Sequence, residues 1–127
     1  MNLVDSSGWL EYFTDGPNAA KFEQPLSDCD NLLVPTISIY EVFKVVMREK
    51  DENAALQAIA LMLKGQIIEL NAEIAINAAK TSLHYKIPMA DSIILSTGIL
   101  YEATIWTQDS DFAGLPNVRY FKMNRDL

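Results

Sequence analysis

Met1-Asn2-Leu3-Val4-Asp5, running straight into Ser6-Ser7-Gly8, is a short apolar stretch that ends in a carboxylate. Its length and composition predict a buried strand that delivers Asp5 to one edge of a sheet. In an open α/β sheet, ligands gather just beyond the carboxyl ends of the strands, so an acid placed there is positioned for chemistry rather than for solvation.

Working outward from Asp5, helices and strands alternate. Trp9, Leu10 and Phe13 fall on one face of a first helix over Ser7 to Thr14, for which Ser6 or Ser7 is a candidate N-cap. Pro17-Asn18 opens a second short helical stretch through Phe22, closed by Pro25 and the polar run Ser27 to Asn31. Leu32-Leu33-Val34-Pro35 reads as a second buried strand. Thr36 or Ser38 then caps a long helix with Ile39, Val42, Phe43, Val46 and Met47 at intervals of three and four. Asp51 caps the next helix and Gly65 terminates it. A third strand is expected at Ile67-Ile68-Glu69-Leu70, followed by an Asn71-capped helix from Ala72 to about Tyr85. Beyond Pro88 a further helix begins near Met89 or Ala90, placing Asp91 in its first turn. Thr104 to Thr107 is the fourth strand and delivers Gln108-Asp109-Ser110-Asp111-Phe112 to its carboxyl end; Val118 to Phe121 is the last. Parallel strands need connections long enough to return over the sheet, so this alternation predicts a three-layer α/β domain.

The chain has 127 residues, 50% hydrophobic and 21% charged, which predicts one domain over residues 1–127 with a single continuous core. The start carries neither a basic region nor a cleavable apolar stretch, and no apolar run approaches the roughly 20 residues that span a bilayer, so a soluble, intracellular protein is expected. The single Cys29 is expected to be structural, since it has no disulfide partner and no zinc-like Cys/His spacing surrounds it. A net charge of −7 excludes a nucleic-acid binder that works through a broad basic surface, because such affinity comes from releasing many phosphate counterions. Any nucleic-acid contact is local or metal-mediated. There is no glycine-rich phosphate loop, and the lone His84 leaves a Ser/His/Asp triad without a candidate.

Asp5 and the Asp109/Asp111 pair sit at strand ends, while Glu41 and Asp91 sit in the first turns of helices that follow a strand or a Pro-marked loop. All can point at one edge of the sheet. Carboxylates gathered this way repel one another and stay ionised at neutral pH only if a cation neutralises them; hard oxygen ligands select Mg²⁺ or Mn²⁺. Each acid also has an ordinary structural use. Asp5 fits an N-cap, Glu41 a capping box with Ser38, Asp91 a charge at a helix N-terminus, and Asp109 and Asp111 a polar turn.

Val4-Asp5-Ser6-Ser7, Val34 to Val42 with Glu41, Ile87-Pro88-Met89-Ala90-Asp91-Ser92 and Thr107 to Phe112 together resemble, in order and spacing, the motifs of PIN-domain ribonucleases. Within that family the chain is most similar to VapC-type toxins of toxin–antitoxin pairs, and the resemblance spans the whole chain. It implies a three-layer α/β/α PIN fold with a mostly parallel sheet and a Mg²⁺-dependent endoribonuclease, with Mn²⁺ as a substitute. Asp5, Asp91 and Asp109 would be metal ligands with Asp111 supporting them, and Glu41 would position or deprotonate a water. Where many relatives carry Thr-Arg-Asn before a more distant Asp-Phe, this chain has Thr107-Gln108-Asp109 a single residue before Asp111-Phe112. Either Asp109 or Asp111 thus fits the fourth acid, and Gln108 removes one phosphate contact.

The resemblance further implies a cytoplasmic protein with an RNA substrate, a cognate antitoxin and a homodimeric state. Lys44, Arg48, Lys86, Arg119, Lys122 and Arg125 are candidate guides for an RNA backbone. The helices within Thr36 to Lys64 carry more apolar residues than one core face requires, among them Tyr40, Phe43, Met47, Leu56, Leu61, Met62 and Leu63, which predicts a partner groove there. Two alternatives differ in class. A receiver-like phosphoacceptor would need adjacent acids after the first strand and a lysine after a later one, which the sequence lacks; a catalytically silent PIN fold would act as a protein-binding module.

Overall fold

The computed structural model describes residues 1–123; Arg125 lies outside them. Five strands, β1 (Asn2–Val4), β2 (Leu32–Pro35), β3 (Gln66–Ile68), β4 (Thr104–Thr107) and β5 (Val118–Tyr120), form one all-parallel sheet in the order β3-β2-β1-β4-β5. Six helices accompany them: α1 (Ser6–Phe13), α2 (Ala19–Ser27), α3 (Thr36–Glu49), α4 (Glu52–Met62), α5 (Ala72–Tyr85) and α6 (Met89–Leu100).

Strand residues alternate between the two faces, as the pleat requires. Leu3, Leu33 and Ile105 join Ile74, Ala78, Ile94 and Leu95 of α5 and α6 in one core layer. Val4, Val34 and Trp106 join Trp9, Phe22, Val42, Ala58 and Met62 of α1 to α4 in the other. The centre of the sheet is therefore buried on both sides, and β2, β1 and β4 read as largely apolar runs because helices cover both their faces, whereas the edge strands β3 and β5 keep exposed Gln66 and Arg119. Helix α6 is buried from Ser92 through Gly98. A Cβ on Gly98 would come within 2.6 Å of Ile105 Cδ1, so the bare glycine lets α6 lie directly on β4.

Several local expectations change. Asp5, not a serine, is the N-cap of α1, because the helix starts at Ser6 and the Asp5 carboxylate accepts from Gly8 N at 3.1 Å. Helix α2 continues through Pro25, since Phe22 and Leu26, one turn apart, are both anchored in the core and hold the backbone helical despite one missing hydrogen bond. Helix α3 begins at Thr36 directly behind Pro35 without a side-chain cap; neither Thr36 nor Ser38 serves. Strand β3 lies one residue earlier than expected and stops at Ile68, and β5 ends at Tyr120, although Phe121 N still bonds Thr107 O. Strands β4 and β5 are parallel across residues 108–117, a shorter return than the roughly 12 residues such a crossover usually takes, made possible by the single 3₁₀ turn Ser110–Phe112. No helix among the described residues is long and apolar enough to cross a membrane.

Candidate metal centre

The strand order reverses at β1, whose neighbours are β2 on one side and β4 on the other, and crevices form at the carboxyl ends of strands flanking such a point. Asp5 follows β1 and Asp109 follows β4. Asp91 reaches the same place from the first turn of α6. Asp91, Asp109 and Asp111 each offer an oxygen lying within 4.8 Å of the other two. Asp5 stands outside that triad yet close enough for its charge to act on Asp91.

Each acid is held by neighbours. Asp5 is only 2% exposed, and its Oδ1 accepts from the Ser7 hydroxyl at 2.7 Å as well as from Gly8 N. The cap and the site thus use one carboxylate. Glu41, half-buried on α3, accepts from Ser6 Oγ at 2.6 Å. The capping box with Ser38 does not form; Ser38 Oγ is buried without a partner. Asp109 N donates to Thr107 Oγ1 at 2.9 Å, and Asp109 Oδ1 accepts from Asp111 N at 2.9 Å, so the polar turn expected of these residues is present and at the same time aims both acids at Asp91.

Burial pushes the Asp5 carboxyl up from 3.8 to about 6, opposed by its hydrogen bonds to Ser7, Gly8 and Thr107 and reinforced by the charge on Asp109. Asp91 rises further, to about 8: burial is the largest cause, followed by a hydrogen bond with Asp111 and the charges of Asp109, Asp111 and Asp5. The donor set fits a hard divalent cation. Three carboxylates that gather their oxygens within 4.8 Å of one another, with no softer donor among them, would suit such an ion.

The chain thus carries an acid cluster at the switch point of an all-parallel α/β sheet. It belongs to the PIN-domain family, whose model matches residues 3–117. Among solved structures, a toxin–antitoxin complex from Klebsiella pneumoniae is similar with a TM-score of 0.78 at 24% identity, over 94% of this chain and 96% of that one. VapC20 of Mycobacterium tuberculosis, described as a sarcin-ricin loop cleaving toxin, gives 0.77 at 16% identity over 94% and 99%. VapBC2 from Rickettsia felis, solved on a DNA fragment from its promoter, gives 0.75 at 15% over 95% and 98%. At these identities the likeness establishes the shared fold. No curated protein matches the sequence significantly.

Other expected contacts are redistributed. Gln108 is buried, and its Oε1 accepts from Asn18 Nδ2 at 3.0 Å, so it braces the loop instead of facing solvent. Arg119 lies over the Trp106 ring at 4.3 Å, Arg48 pairs with Glu49, and Lys44 lies 5.7 Å from the centre of the Tyr40 ring. His84 is exposed and packs edge-on to Tyr85. The sequence places Asn18 at a helix start and Thr107 at a strand end but assigns neither side chain a contact at the site. The Thr107-x-Asp109 spacing carries a local hydroxyl-to-backbone signal, whereas nothing in the sequence links Asn18 to Gln108 across the fold.

These shifts set a pH dependence for the metal-free protein. Asp5 and Asp91 bind protons more tightly folded than unfolded, so their contribution to stability is full below about 4 and is lost as pH rises through about 6 and then about 8. Melting temperatures taken in chelator should fall across that window. Asp91→Asn should flatten the upper part of the fall and be more stable than the parent at pH 8; a variant that melts lower there would show that Asp91 stabilises its helix start instead.

Proposed function

We propose that residues 1–127 act as a single PIN domain whose activity is divalent-cation-dependent endoribonucleolytic hydrolysis, with Mg²⁺ the preferred ion and Mn²⁺ a substitute. The observation that carries this is the convergence of Asp91, Asp109 and Asp111 to within 4.8 Å, with buried Asp5 beside them, at the switch point of a PIN fold. Asp5, Asp91 and Asp109 would hold the cation, with Asp111 supporting. A bound ion there would neutralise the cluster, draw in the scissile phosphate and acidify a water.

The chain's own residues do the rest. Ser7 and Gly8 fix the orientation of Asp5 so that it cannot turn away from the cluster. Ser6 occupies Oε1 of Glu41, leaving Oε2 to align the attacking water and take its proton while the bond from phosphorus to the leaving ribose oxygen breaks. Catalytic roles therefore fall on Asp5, Glu41, Asp91 and Asp109. RNA is favoured as substrate by the family and by a neighbour described as a sarcin-ricin loop cleaving toxin.

A cytoplasmic toxin restrained by an antitoxin fits the neighbours, two of which are described as a toxin–antitoxin complex and as VapBC2. The partner groove proposed for α3 and α4 is supported in part. Tyr40, Met47, Leu56, Leu61 and Leu63 are exposed, but Met62 is fully buried and belongs to the core. Ile39, Tyr40, Phe43 and Met47 line a depression on the outer side of α3, and a second lies between α1, α3 and α4. An amphipathic antitoxin helix or a second copy of the chain would cover such a surface.

Cleavage of single-stranded RNA should vanish in excess chelator and return with Mg²⁺. Asp5→Asn, which keeps a capping side chain, and Asp91→Asn should each lower the rate by more than about 100-fold, above the range typical for residues that merely support metal ligands. Undiminished cleavage by either folded variant would reject the site. Met47→Glu should weaken antitoxin binding or self-association, read by sedimentation, without changing the rate; unaltered association would place the partner surface elsewhere.

A further inference from the structure

A cleft of about 700 Å³ opens beside the acid cluster, lined by Ser7, Gln108, Asp109, Ser110, Tyr120, Lys122 and Met123. It shares Asp109 with the triad and Ser7 with the hydrogen bond that fixes Asp5. It brings the half-buried ring of Tyr120 and the cation Lys122 together with Asp109 of the acid cluster, whereas the depression on α3, which also holds rings and cations, shares no residue with that cluster.

The wall is anchored. Asn18 is fully buried, and its Nδ2 donates both to Gln108 Oε1 at 3.0 Å and to the Lys122 carbonyl at 3.1 Å. One side chain thereby ties the loop bearing Asp109 to the segment bearing Lys122. Strand alternation sends Arg119 to the Trp106 face and leaves Tyr120 on the other, toward the cleft. Of the basic residues considered as guides, Lys122 is the one among the described residues that lines this cleft.

In a chain of net charge −7 with acids crowded at the sheet edge, an approaching phosphodiester meets repulsion everywhere except at a bound cation or a local positive side chain. A lysine and a tyrosine lining one cleft with Asp109 supply the two elements that single-stranded nucleic-acid sites use, a backbone charge contact and a stacking platform. We propose that this cleft is the subsite for the nucleotide flanking the scissile phosphate of a single-stranded RNA, with Lys122 contacting its phosphate and Tyr120 stacking on its base. The proposal rests on the ribonuclease reading above and adds the residues that position the substrate. Asn18 acts as a positioning residue that keeps Lys122 and Asp109 in fixed relation.

The test uses the full chain, with kinetics on a short single-stranded oligoribonucleotide in Mg²⁺ and, separately, fluorescence anisotropy of the same oligonucleotide on an Asp5→Asn background, where binding is read without cleavage. Tyr120→Leu should raise KM and weaken binding roughly 5- to 100-fold with kcat little changed, and Tyr120→Phe, which keeps the ring, should restore both. Lys122→Ala should weaken binding and reduce the slope of log affinity against log salt by about 1. Lys64→Ala, at the opposite edge of the sheet before β3, serves as the charge-matched control and should change neither. Unchanged KM, affinity and salt slope in both Tyr120→Leu and Lys122→Ala would overturn the proposal. So would a fall in kcat and Mg²⁺ affinity at constant KM, since that would make the wall a mere support for Asp109. If the parent binds RNA through Lys122 and Tyr120 but cuts none, the subsite stands and the hydrolytic reading falls.

Discussion

Mutual repulsion among carboxylates is the constraint on which this molecule turns. Asp91, Asp109 and Asp111 share a small volume, with Asp5 buried beside them, and the unfolded chain would hold Asp5, Asp91 and the Asp109/Asp111 pair far from one another. Bringing them together in a buried place costs free energy, and the raised proton affinities of Asp5 and Asp91 express that cost, burial contributing most and the neighbouring carboxylates adding to it. The structure tolerates it because the acids are carried by separate rigid elements, β1, α6 and the turn after β4, each fixed by the core below.

That core explains the placement. A sheet covered on both faces allows no strand to slip by one residue, since a slip would exchange Leu3 for Val4 and Ile105 for Trp106 between two differently packed layers. The register that keeps the layers intact also fixes where β1 and β4 end, and hence where Asp5 and Asp109 emerge. Hydroxyl groups then set the finer orientation: Ser7 on Asp5, Ser6 on Glu41 and Thr107 on the backbone of Asp109.

Much of this was readable in the sequence because strong local signals agreed with the fold. The apolar runs at Leu32 to Pro35 and Thr104 to Thr107 coincide with β2 and β4, and the Asn71 and Asp51 caps start α5 and α4 where expected. The failures share a cause. A serine before a helix looks like a cap whether or not tertiary contacts call on it, so Ser38 and Glu41 suggested a capping box while Ser6, distant in sequence, took the Glu41 carboxylate. Pro25 looked like a helix end because the burial of Phe22 and Leu26 around it is not a local property. The ordinary and functional roles of Asp5 were set out as alternatives, yet one carboxylate serves both. The Asn18 brace joins residues 90 positions apart, and no spacing rule reveals it.

The central claim is that the cluster is held in readiness for a divalent cation, with Asp91 carrying a proton in its place near neutral pH. Calorimetric titration of the metal-free protein with Mg²⁺ at pH 7, repeated in buffers of different ionisation enthalpy, measures the protons displaced by the ion. The groups at about 8 and about 6 predict release of about one proton per bound ion, supplied mainly by Asp91 and abolished in Asp91→Asn. Absence of binding, or binding with no proton release, would contradict the account.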